Sequence, residues 1–315
     1  ATGPAVDPGF PSVLATERPE ISPTTHTTGR RRALADWITR PDHPLTARVM
    51  VNRLWQRHFG RGLVETSSDF GTMGDEPSHP ELLDWLASEF VRTGWSLKAI
   101  HRLIVTSAVY RQASGPISTR ARDVDPENRL LSRQTMRRLD GETIRDAMLA
   151  VSGRLNPAIG GPGVFPPLPN ELTRLSSKGA VWPVSTRIRD QDRRSLYVFV
   201  RRNLRYPFFE SFDRPDTNAS CPRRSVTTIA PQALSMLNGQ LSVGAARAFA
   251  ARVEREVGPG SEIELKVRRA YLLALGRSPA ETECAFARMF LNTEGTTFSD
   301  YCLALLNLNE FIYVD

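Results

Sequence analysis

SHPELLDWLASEFVRTGWSLKAIHRLIVTSAVY, residues Ser78 to Tyr110, holds two helix starts and two apolar periods in close succession. Ser78 stands three residues before Glu81, the spacing at which a hydroxyl and a carboxylate serve each other's unpaired backbone amides. Pro80 takes the first helical position, where no N–H is needed. This start predicts a helix to about Val91. Ser96 caps a further helix through Tyr110, with Leu97, Ile100, Leu103, Ile104 and Ala108 on one apolar face. The same grammar recurs on both sides. Upstream, Ala33, Leu34, Trp37 and Ile38 recur at helical spacing until Pro41, and Pro44 to Phe59 repeats the pattern before Gly60 stops it. Downstream, Arg137 to Val151 is amphipathic and closed by Gly153, and Pro231 to about Glu256 reads as helix. Ser261 with Glu264 opens a helix to Leu275, and Ser278 with Glu281 opens one to Leu291. The fold class that follows is mainly α: a multi-helix globular domain.

The middle breaks this regularity. Gly160-Gly161-Pro162-Gly163 and Pro166-Pro167-Leu168-Pro169 interrupt any regular element. Ser195 to Arg201 is rich in β-formers and is the best strand candidate, so the β content is at most a small element. Tyr206 to Arg224 reads as an ordered loop. Residues 1–29, rich in Pro, Thr and Gly, read as a linker or extended arm. The expected organisation is an N-terminal helical half at 30–153, an irregular loop-rich middle at 154–228 and a C-terminal helical half at 229–315, packed together as one domain. No internal repeat is visible.

Composition narrows the function classes. The hydrophobic fraction is 40% and the charged fraction 24%, enough for a packed core. No apolar run reaches membrane-spanning length. The opening ATGPAVDPGFPSVL lacks a basic region followed by an apolar stretch, so either the chain is cytosolic or its export signal lies upstream of it. The formal charge of +7 invites a nucleic-acid partner, but the charges lie interleaved along the chain, as in Arg187-Ile188-Arg189-Asp190-Gln191-Asp192-Arg193-Arg194. That is not the basic stripe of a nucleic-acid binder. Lysine occurs only at Lys98, Lys178 and Lys266 among 41 basic residues. Cys221, Cys284 and Cys302 form no CxxC pair and no haem-attachment motif, so no haem c is expected on this chain. Cys284 and Cys302 sit on adjacent helices among apolar neighbours; a disulfide is open to them in an oxidising compartment, and we read them as free core thiols.

Several phrases resemble a known family. Gly29-Arg30-Arg31-Arg32-Ala33-Leu34-Ala35-Asp36-Trp37 and Arg48-Val49-Met50-Val51-Asn52-Arg53-Leu54-Trp55 look like the opening of planctomycete-specific domain one, domain of unknown function 1553. Pro77 to Leu86, Gly94 to Lys98, Phe212-Asp213-Arg214-Pro215-Asp216, Thr228 to Leu234 and Ala304 to Phe311 match the same family. The resemblance implies the C-terminal part of a long exported protein, behind a second planctomycete-specific domain and often a cytochrome-c-like module. It therefore implies an extracytoplasmic location, upstream domains of the same polypeptide as partners, and haem c only on a separate upstream module. It carries no catalytic residues over.

The residues themselves offer one dense polar stretch. Phe212 to Gln232 gathers Asp213, Asp216, Asn218, Cys221, Arg223, Arg224, Thr227, Thr228 and Gln232 without helical period, and polar density in an ordered loop favours function. Asp213, Asp216, Asn218, Arg223, Arg224 and Gln232 are the ligand-binding candidates. Asp213 and Asp216 are the candidate ligands of a divalent cation, since short-spaced oxygens suit calcium. The plainer reading pairs these aspartates with Arg214, Arg223 or Arg224. His58 and His101 fall on helices and His79 at a helix start, with no HExxH pattern; each alone reads as an ordinary histidine. Asp69, Asp75 and Glu76 form an acidic turn ahead of a helix, where the helix's positive end explains them. Trp37, Trp55, Trp85 and Trp95 read as core. No GxSxG, Walker or dinucleotide pattern appears. Two readings remain: a non-catalytic binding or scaffolding module, and an enzyme acting on polysaccharide with its site around Asp213–Gln232.

Overall fold

A computed structural model describes residues 3–15, 17–115, 119–169, 172, 182–202 and 204–314. Part of the irregular middle, at 170, 171 and 173–181, lies outside the described residues. The described chain holds fourteen α-helices and one two-stranded antiparallel sheet, so the fold is mainly α. It divides into two compact units, 1–135 and 136–314.

The first unit is built on α2 (Thr46–Phe59), α3 (Pro80–Arg92) and α4 (Leu97–Thr106), after the short α1 (Arg30–Ile38) and before α5 (Thr119–Val124). Val51, Leu54, Trp55 and Phe59 from α2 meet Leu83, Leu86 and Phe90 from α3 and Ile100 and Ile104 from α4 in one core. Inside it lies Asn52, fully buried. Its amide donates to the Val64 carbonyl at 2.9 Å and accepts from the Val64 N–H at 2.9 Å, so a polar side chain in the core closes the loop after α2. That bidentate pairing satisfies a buried amide that would otherwise be costly. Trp85 departs from the core assignment. It lies on the solvent side of α3, half exposed. The arm is extended and lies against α1, with Phe10 stacked on Trp37 at 4.5 Å.

Helix starts in this unit use other caps than the serines suggest. α2 begins at Thr46, and the His43 ring caps it: Nδ1 accepts from the Leu45 and Thr46 amides, each at 3.2 Å. α3 begins at Pro80 with His79 as its cap residue. Ser78 forms no box with Glu81, because its backbone N–H donates to Leu63 and its hydroxyl lies 3.0 Å from His79 Nδ1. Ser96 caps α4 as its position requires, accepting from the Ala99 amide.

The second unit centres on the long α10 (Gln240–Val257). Packed on it are α6 (Gly141–Val151), α9 (Ala230–Asn238), α11 (Ile263–Leu275) and α13 (Phe298–Leu306). The chain also forms α7 (Ile188–Gln191), α8 (Pro207–Ser211), α12 (Glu281–Leu291) and α14 (Asn309–Ile312). Helix 141–151, grouped with the N-terminal half in the sequence, belongs to this core through Ile144, Met148 and Val151. The unit boundary precedes it because β1 (Arg137–Arg138) pairs antiparallel with β2 (Tyr313–Val314) at the other end of the unit. The expected helix from Pro231 to Glu256 is two helices, broken at Gly239, whose ψ of 138° is extended. A Cβ there would stand 2.3 Å from the Ser235 carbonyl, which makes glycine the residue for the break.

The expected strand at Ser195–Arg201 is not a strand. Ser195–Tyr197 is a 3-10 turn, and only Val198 bridges, to Val164. The partner segment explains the shortness: Pro162, Pro166 and Pro167 flank Val164 and have no N–H to extend a ladder. Two further boxes are rearranged. Ser261 donates its hydroxyl to Val257 and Gly258, closing α10 rather than opening α11. At α12 the box is made by Glu283, which accepts from the Ala280 amide at 2.7 Å. Cys284 and Cys302 are buried free thiols, and Cys221 is exposed.

Candidate functional site

The polar segment after α8 is ordered by aromatic packing. Phe208, Phe209 and Phe212 are buried, and the chain then reverses at Asp213, whose φ is +59°. Aspartate tolerates this left-handed conformation better than most side chains. The reversal lets the Arg214 amide donate to Phe209 at 3.1 Å and turns the Asp213 carboxylate toward Thr227. It accepts there from the Thr227 N–H at 2.9 Å and the Thr227 hydroxyl at 2.6 Å. Arg138, held by the β1–β2 pairing, donates to the same carboxylate at 2.7 Å and also to the Thr227 carbonyl. Gln232, buried at the start of α9, donates to that carbonyl at 3.0 Å. Arg138, Asp213, Thr227 and Gln232 thus form one closed knot over the Phe212 ring.

A second pairing lies beside it. Arg224 donates through both terminal nitrogens to Glu142 on α6, at 2.8 and 2.9 Å, and stands 3.4 Å from Asp140. Arg214 approaches the same glutamate at 3.8 Å with its guanidinium over Phe209. Gly141 allows this approach of α6 to α8, since a Cβ there would come within 2.8 Å of Phe212. Asp216 is separate and exposed. It pairs with Arg205 at 2.7 Å and accepts from both the amide and the side chain of Asn218. Arg223 is exposed, and its carbonyl accepts from the Cys221 thiol at 3.1 Å.

The sequence candidates therefore divide. Asp213 and Gln232 meet through Thr227, Arg224 lies with Glu142, and Asp216 with Asn218 forms a third group. The two aspartates proposed as cation ligands each answer a different arginine, and among the described residues no three His, Cys, Asp or Glu side chains gather as a metal group. The electrostatics follow. Burial pushes the Asp213 carboxyl up, but the Thr227 hydroxyl and amide and the Arg138 guanidinium carry it below the ordinary range. Burial likewise opposes ionisation of Glu142, and Arg224 outweighs it. Asp216 is lowered chiefly by the Asn218 amide. A general acid needs the opposite shift. Arg138 and Glu142 were invisible as site residues because their partners lie 75 and 82 positions away.

A second polar cluster lies in the first unit, between residues that looked ordinary singly. His58, in the last turn of α2, places Nε2 2.7 Å from Nδ1 of His101 on α4. The rings meet at 68°, and Tyr110 stands edge-on to His58. The acidic turn upstream of α3 is local: Asp69 accepts from the Gly71 amide, and Thr66 accepts from the Asp75 amide.

These features define a helical protein whose 212–232 segment is tied down by arginine–carboxylate pairs drawn from distant parts of its second unit. Among the described residues no helix is long and apolar enough to cross a membrane. The chain belongs to the PSD1 family, proteins of unknown function (DUF1553), whose family model matches residues 30–291. No curated protein and no solved structure matches it.

Proposed function

We propose that this chain is a non-catalytic binding or scaffolding module of an exported, multidomain, cytochrome-c-associated protein working outside the cytoplasm. The observation that carries this reading is the use of the 212–232 segment: Asp213, Asp216 and Arg224 are spent on internal ion pairs that fix the loop. Side chains saturated in this way hold shape, and the downward shifts at Asp213, Asp216 and Glu142 leave no proton there for acid catalysis at neutral pH. The partners are the upstream domains of the same polypeptide, one of them carrying haem c; this part rests on the family-like phrases of the sequence.

One observation favours the alternative, an enzyme acting on polysaccharide around Asp213–Gln232. Asp213 holds a positive φ, and strained backbone gathers at active sites. Thermal melting separates the readings. The module reading expects the melting temperature to rise with the purified upstream domains and not with neutral or sulfated glycans or with calcium, the hard cation suited to Asp213 and Asp216, because only a ligand of the native state shifts it. A saturable glycan or calcium shift that disappears in Asp216→Asn, a change at an exposed ion pair, would replace the module reading with the enzyme reading.

A further inference from the structure

We propose that His58 and His101 form an exchangeable binding site for a divalent transition metal, Cu(II) or Zn(II), on the first unit. The site is independent of the module reading, which rests on the second unit. Two imidazole nitrogens 2.7 Å apart cannot both carry hydrogen toward each other, so one ring donates its N–H to the other's lone pair. A cation held by the same two nitrogens sits to one side of the N–H···N line, where both ring lone pairs can converge on it. Binding needs the donor ring to move that proton to its far nitrogen, which leaves His58 Nε2 and His101 Nδ1 as two neutral lone-pair donors. Neither ring changes its charge in this step.

The geometry is close to what the metals require. Metal–imidazole bonds of about 2.0–2.1 Å put two tetrahedral ligand nitrogens about 3.3 Å apart, and two adjacent tetragonal ones about 2.9 Å. From 2.7 Å the nitrogens separate by a few tenths of an ångström, and both rings rotate about their side-chain bonds to aim their lone pairs at the metal. Both rings are carried by helices of one packed core, and both are half-buried, so they are positioned in advance and still reachable. His58 lies in the last turn of α2, where the helix carbonyl ends favour positive charge. Neither α2 nor α4 contains an acidic residue, while Arg53, Arg57, Lys98 and Arg102 lie on them. With no carboxylate on either helix there is no oxygen ligand for a hard cation, and imidazole ligation selects copper and zinc instead. With two protein ligands the remaining positions go to water or an incoming ligand, as in open rather than structural sites.

The test is isothermal titration of the full chain with Cu(II) and with Zn(II). His58→Gln and His101→Asn are the decisive variants, because each amide nitrogen replaces the lost ring nitrogen in position, keeps the interhelical hydrogen bond and removes the metal ligand. His26→Gln, in the exposed arm, is the control. The expected result is saturable one-to-one binding, tighter for Cu(II), weakened at least tenfold in His58→Gln and in His101→Asn and unchanged in His26→Gln. Broadening of the His58 and His101 ring signals by substoichiometric Cu(II) in NMR is expected alongside. Affinity unchanged in both folded variants, or no saturable binding to the wild-type chain, would overturn the proposal.

Discussion

Asp213 does two separable things, one through its backbone and one through its charge. Its φ of +59° sets the reversal after α8, and its carboxylate answers Arg138, whose side chain is only 5% exposed. Asp213→Asn keeps the tolerance for left-handed backbone and removes the charge, leaving a buried guanidinium without its anion. Breaking such a pair costs about 3–5 kcal/mol. Asp213→Ala adds up to about 1–2 kcal/mol, because alanine lacks the polar side chain by which aspartate and asparagine tolerate the left-handed region. Urea unfolding of the three proteins is expected to rank them wild type, Asn, Ala; equal midpoints for Asn and wild type would show that the Arg138 pair contributes nothing. Arg138 itself shows why this site resists reading from one segment. It stands in a two-residue strand, Asp213 lies in a loop 75 positions later, and neither position signals the other.

Helix ends are the element-scale feature most dependent on long side chains. At α12, Glu283 reaches back to the Ala280 amide, and Arg277 donates to Glu283 at 2.7 and 2.8 Å and to Glu310 on α14 at 2.6 and 2.7 Å. The Arg277 hydrogen bonds hold the Glu283 carboxyl at about 2, against an ordinary value of 4.5. A carboxylate lowered on folding stabilises the native state at pH values above its unfolded value, and loses that contribution as pH falls through the folded one. The contribution from Glu283 is therefore present above about pH 4.5 and fades between there and about pH 2. Glu283→Gln is expected to flatten the fall of melting temperature across that window while lowering it at pH 7. A parallel fall in variant and wild type would contradict the assignment. The serine three positions before a glutamate was a sound guide at the level of helix location and a poor one at the level of caps. Ser261 has an identical spacing to a glutamate, yet the preceding helix end lies nearer and takes its hydroxyl.

At the scale of the whole molecule, burial sorts the three cysteines. Cys302 is fully buried, and desolvation drives its thiol pKa well above the ordinary range; Cys284 is buried on α12; Cys221 is exposed. Thiolate, not thiol, is the reactive form, so an aromatic disulfide reagent is expected to titrate one thiol in the native protein and three in denaturant. A native count of zero or three would refute this sorting. The mainly helical class, most helix positions and the family were all legible in the chain, because apolar spacing and local stops are properties of neighbouring residues. The short strand at Ser195–Arg201 was misread for the complementary reason: β pairing depends on a partner, and the partner segment is proline-rich. Tertiary structure alone decided that helix 141–151 packs in the second unit, that Asp213 answers Arg138 rather than a nearby arginine, and that His58 meets His101. Each of these joins residues tens of positions apart, and a distance set by packing leaves no periodic trace in the sequence that folds to make it.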